Sequence, residues 1–142
     1  MRPKKEKGVV AVEFALVLPL LLLIVFGIIE FSLALYDKAV ITNASREAAR
    51  YGVVLASPKY TQSQIQQVAV NYCKSYMISL GGGSNACSTS SVTVTGAQGS
   101  FGTPLSVQVS YTFTPLALGN KTLFNPMNAS LTLSATTTMN NE

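Results

Sequence analysis

The sequence predicts an α+β chain: a long N-terminal helix whose first half suits a membrane, a second helix, then a three-stranded antiparallel sheet. Three observations carry this prediction. From Val9 to Ile29 the chain is apolar except for Glu13. Apolar residues at helical spacing then continue through "YDKAVITNASREAARYGVV" and return after Thr61. Beyond residue 91 the period changes to two. At 142 residues there is room for one domain with appendages.

The first helix begins in lipid. Roughly 20 apolar residues cross a hydrocarbon core, which the Val9–Ile29 run supplies. Before it, Arg2, Lys4, Lys5 and Lys7 outweigh Glu6, while the rest of the +4 formal charge nearly cancels. Basic residues stay on the cytoplasmic side, so the N-terminus is expected inside and residues 31–142 outside. Glu13 and Glu30, 17 residues apart, lie about 25 Å apart along a helix, near opposite edges of the core. Glu30 is thus expected as a membrane-edge acid. A cleaved secretory signal shares the basic start, and "SLALY" offers it Ser32 and Ala34 for a cut. The apolar run nevertheless exceeds the usual length of about 7–15 residues, and an acid at its start is unhelpful. Pro19 and Gly27 are soft points, either ordinary membrane-helix composition or the seat of a bend.

Outside the bilayer the helix continues to about Val54. Val40, Ala44, Ala48 and Tyr51 form its apolar stripe; Arg46, Glu47 and Arg50 mark the polar side, where Glu47 and Arg50 stand at pairing distance. Ala39, Ala44, Ala48 and Ala49 permit close packing, most simply within the chain. Gly52 and then Ser57-Pro58 suit its end. Thr61 and Gln64 form a T-x-x-Q capping box. It opens a helix with Ile65, Val68, Ala69, Tyr72, Tyr76 and Leu80 on its apolar side, ended by "GGGSN" (81–85). Val92 and Val94, then Leu105 to Phe113 at every second residue, then Leu131, Leu133 and Ala135 make three strands with one apolar face each. The apolar connection "ALGNKTLFNPM" (117–127) is expected to tuck onto the core.

Composition excludes much. There is no histidine, which removes the commonest general base and metal ligand. Cys73 and Cys87 are the only thiols, too few for a zinc site and wrongly spaced for a C-x-x-C redox pair. Outside the cytoplasm they are expected to join, which is worth about 3 kcal/mol in the chain-entropy model; two buried thiols are the alternative. The folded part carries no basic stripe for nucleic acid. Acids beyond Glu30 are only Asp37, Glu47 and Glu142, and no nucleophile–base pair can be picked out. No catalytic residue, metal or cofactor is assigned.

Gly8 followed by Glu13 in fifth place and a long apolar run resembles the processing site of type IV pilin-like precursors. The resemblance implies that a prepilin peptidase cuts after Gly8, that residues 1–8 are a lost leader, and that Val9 becomes the N-terminus. Glu13, with Phe14 beside it, would then serve assembly, its carboxylate meeting a new amine of its own chain or a neighbour's. More particularly, "KGVVAVEFALVLPLLLLIVFGIIEFSLALYDKAVITNASREAARYGV" is similar to TadE-like proteins of the tight-adherence (Tad/Flp) system. The shared features are G-x-x-A-V-E-F-A-L-x-L-P, G-I-I-E-F and N-A-x-R-E-A-A-R. That implies a pilin-like fold with residues 9–30 as anchor and 31–142 as a periplasmic domain. It also implies a bacterial inner-membrane protein that enters a Flp-type pilus or primes its assembly. The partners implied are the prepilin peptidase, other pilin or pseudopilin subunits, the inner-membrane assembly platform and the lipid bilayer. An adhesin or cargo-binding module exported by the same route is the second expectation; an anchored enzyme is the weakest. The three-stranded domain argues against a major Flp pilin, which has little after its helix.

Overall fold

The computed structural model describes residues 5–78, 87–114 and 131–142. Helix α1 runs unbroken from Lys5 to Val53, 49 residues, through Pro19. Its apolar length from Val9 to Ile29 has no buried residue. From Glu30 onward it turns one side into the folded head. Helix α2 covers Gln62–Tyr76, and strands β1, β2 and β3 cover Val92–Thr95, Pro104–Phe113 and Leu131–Asn140. The sheet is antiparallel in the order β1-β2-β3.

Each element forms for a visible local reason. The Thr61 side chain accepts from the Gln64 amide while the Gln64 side chain accepts from the Thr61 amide, so the expected capping box is present. Alternation in β2 buries Leu105, Val107, Val109, Tyr111 and Phe113 and turns the residues between them outward. Val92 opposes Val109 and Val94 opposes Val107, so the short strand extends the same apolar face. In β3, Ala135 is buried with Leu133 and Met139 packed at the core's margin, whereas Leu131 is exposed.

The second half of α1 is the centre of the head, with α2, β2 and β3 all packed on it. Val40, Ile41, Ala44, Ala48 and Ala49 are buried there. The predicted stripe of Val40, Ala44, Ala48 and Tyr51 was therefore too narrow, because the helix packs against both the sheet and α2. Small side chains let both approach. Fully buried Ser45 donates to the Thr42 carbonyl at 2.8 Å and so accepts from the Thr137 hydroxyl at 2.8 Å, tying the helix to β3. Glu47 and Arg50 form no ion pair.

Three sequence expectations are corrected. Gly52 does not end α1; it lies inside the last turn, where a Cβ would stand 2.5 Å from Leu105 Cδ2 and 2.7 Å from Ile65 Cδ1. The glycine is there for close approach, not for a turn. Helix α2 stops at Tyr76, before the glycine run, with the Met77 amide bonded to the Cys73 carbonyl at 2.8 Å. Its buried side holds Ile65, Ala69, Val70 and Cys73, leaving Tyr76 exposed. The buried face runs through Cys73, which is bonded to Cys87 with Cα atoms 5.8 Å apart, while Gln66 donates to the Val92 carbonyl at 2.8 Å. These two links set which side of α2 meets β1. Leu80, the 81–85 glycine run and the 117–127 connection lie outside the described residues.

The far end of the head is closed by its C-terminal residues. The buried Asn141 side chain donates to the Gly96 carbonyl at 3.2 Å and to the Thr103 carbonyl at 2.9 Å. It thereby holds the β1–β2 connection, where Gly96 and Gly102 both have φ of +79°. The Glu142 amide bonds to the Val53 carbonyl at 3.1 Å, satisfying one end carbonyl of α1. Gly52→Val is expected to lower stability by about 1–3 kcal/mol, because Leu105 and Ile65 are fully buried and must shift. Thermal unfolding of the full chain in detergent measures this.

Candidate functional site: the N-terminal helix and the acids along it

The uncovered half of α1 carries the sequence-predicted site residues. Gly8 has no neighbouring atom within 4 Å of where a Cβ would stand. Val9 and Phe14 are 58% and 63% exposed, and Glu13 is exposed as well. Helical geometry puts Val9 and Glu13, four residues apart, one above the other on one face. The Gly8–Val9 bond lies within the helix, and glycine weakens a helix there by about 1 kcal/mol relative to alanine. No part of the head covers this segment, so its side chains are open to lipid or to another chain.

Glu30 lies on the covered side of α1. It is 2% exposed, covered by protein, and so is turned from the exposed side of α1. Asp37, two turns on, is 1% exposed. Both belong to one series with Ala34, Ile41, Ala44 and Ala48, whose spacing alternates four and three and whose members are all buried. In the sequence the two acids share the helical repeat of this stripe, but the repeat alone does not say which side of α1 the head will cover.

Asp37 is a poorly compensated carboxylate. Neither oxygen makes a well-formed hydrogen bond, although the Ile78 amide lies close enough to act on it. Burial raises its pKa above the usual carboxylate value, and the nearby Ile78 amide only partly opposes this. Tyr111 on β2 is raised by burial and then by the negative charge of Asp37. The adjacent Lys38 does not answer the charge; its Nζ donates to the Ser134 carbonyl. Among the described residues no group of three or more acids or thiols could hold a metal.

The architecture defines a class: a protein with one helix long and apolar enough to cross a membrane, continued as the central element of an α+β head. Such a helix fits a single-pass membrane protein. The family model described as TadE-like protein matches residues 8–50. Over these residues, the apolar length of α1 and most of the part that enters the head, the chain is similar to TadE-like proteins. No curated protein and no solved structure matches it, so the rest of the head is understood from its own sequence and geometry.

The raised Asp37 pKa fixes the sign of a pH effect. Below about pH 4 the carboxyl is protonated in folded and unfolded chains alike, and it costs little. As pH rises past that value the unfolded chain ionises more readily than the folded one, so stability falls. Asp37→Asn is expected to be more stable than the parent by about 1–3 kcal/mol at pH 8, with the gap closing toward pH 4. Paired thermal unfolding at the two pH values measures it.

Proposed function

We infer that the protein is a minor pilin, or pseudopilin, of a Tad-type pilus, processed after Gly8 by a prepilin peptidase and needed for assembly. The observation that supports this most directly is the TadE-like match over residues 8–50, on a helix whose Gly8–Phe14 segment nothing in the head covers. Cutting after Gly8 removes the basic leader and creates an amine at Val9. An acid near a bilayer edge costs less than one at the centre, where the figure is about 3 kcal/mol or more. An amine brought against Glu13 by its own chain or by a stacked neighbour removes most of that cost. An out-of-register neighbour leaves Glu13 unpaired. The role is structural, with no catalytic part, and it places the head in the periplasm of a bacterial inner-membrane protein.

A second reading, a displayed binding module, draws on one observation. The far end of the head exposes Phe101 at 86% and Leu55 at 73%, beside an open cleft that includes Lys59 and Glu142. Genes for a secretion ATPase, a prepilin peptidase and a secretin beside this one would favour assembly; their absence would favour the binding module.

Mass spectrometry of the membrane-extracted protein should give Val9 as its first residue when the peptidase is present. Persistence of Met1, or a cut near Ala34, would refute processing at this site. Glu13→Ala should be exported and cut normally yet lower piliation severely, as counted by electron microscopy. Normal piliation would remove the assembly role from Glu13.

A further inference from the structure

The charges that end the apolar run in the sequence do not end it on the surface. Glu30 and Asp37 are buried, and Lys38 is half-buried with its ammonium on the Ser134 carbonyl. The next exposed charge after Glu13 is therefore Arg46. Between them the outer side of α1 presents Ile28, Phe31 and Leu35, exposed at 63%, 59% and 55%. Ser32, on the same side, bonds back to the Ile28 carbonyl at 2.7 Å, which satisfies its hydroxyl without water. This apolar side passes the level at which the head begins, since Leu33 and Ala34 on the other side already pack in its core.

At the head's base the apolar side reaches a group of tyrosines. The Tyr36 hydroxyl donates to the Tyr76 carbonyl at 2.9 Å. The Tyr72 and Tyr76 rings lie 4.6 Å apart. Tyr76 and its neighbour Ile78 are 53% and 46% exposed. Tyrosine favours the boundary between hydrocarbon and water, where its ring and hydroxyl find different surroundings.

We propose that lipid covers this surface: the hydrocarbon-spanning segment is Phe14–Leu35, and the base of the head, at Tyr36 and Tyr76, is set into the membrane interface. This rests on the single-span reading and moves its boundaries. Phe14–Leu35 is 22 residues, about 33 Å of helix, against a core of about 30 Å. Glu13 then stands at the opposite interface, one residue outside the hydrocarbon. A boundary at Glu30 instead places Phe31 and Leu35 in water and Glu13 within the apolar layer. The occupant is lipid because the exposed apolar side is continuous with the span and no exposed charge interrupts it.

The chain contains no tryptophan, so a single one reports depth. Leu21→Trp, Phe31→Trp, Tyr76→Trp and Phe101→Trp are each placed in phosphatidylcholine vesicles, with the Cys73–Cys87 bond intact as the check on folding. Quenching is measured with lipids brominated at mid-chain or near the headgroup, and with aqueous acrylamide. Leu21→Trp tests the span alone; if mid-chain bromine leaves it bright, the membrane reading itself fails. With that indole quenched, Phe31→Trp and Tyr76→Trp should lose most of their emission to bromine near the headgroup, and Phe101→Trp only to acrylamide. Acrylamide quenching of either indole at the level of Phe101→Trp would return the boundary to Glu30 and overturn the proposal. An indole at Phe31 shielded from both quenchers would overturn it too, assigning that surface to a second copy of the chain.

Discussion

One uninterrupted helix must satisfy two solvents, and the rest of the structure follows from that constraint. A helix in lipid satisfies its backbone internally and places no demand on its neighbours. The same helix in the head must bury a face, and it does so against α2 and the sheet. Because α1 is continuous from Lys5 to Val53, the direction of every side chain in the head is coupled by the helical repeat to those in the anchor. The buried series from Glu30 to Ala48 shows the coupling: it begins where exposed apolar residues still occupy the other side. The head is built around the end of the anchor and is not hung from it by a linker.

That continuity explains the small side chains as well. Ala44, Ala48 and Ala49 are fully buried, and Gly52 is in the last turn beneath Leu105 and Ile65. Large residues there would hold α2 and the sheet away from the helix. The Cys73–Cys87 bond and the Asn141 clamp then close the two ends of the head, so that short elements with few charges hold together. The cost of the arrangement is concentrated at Asp37, a buried carboxylate on the buried stripe.

Much of this was legible in the sequence because its signals are local. The capping box at Thr61 and Gln64 acts over four residues, and the alternation of β2 is stated by its own ten. What was misread depended on neighbours. Gly52 reads as a helix terminator until Leu105, 53 positions later, is placed against it. Tyr76 reads as a buried position of α2 until the buried face is seen to run through Val70 and Cys73. The cover over Glu30 was not legible either, because periodicity does not say which side of a helix the protein will cover.

The sequence by itself determined the anchor, the order of elements, the alternation of the strands and the Gly8–Glu13 motif. Each is set by the chemistry of adjacent residues or by a repeat of two or 3.6. Only the tertiary structure decided which charges face inward, and hence how far the apolar surface extends. Burial is a relation between segments distant in the chain, and a charge drawn into the head no longer interrupts the apolar surface.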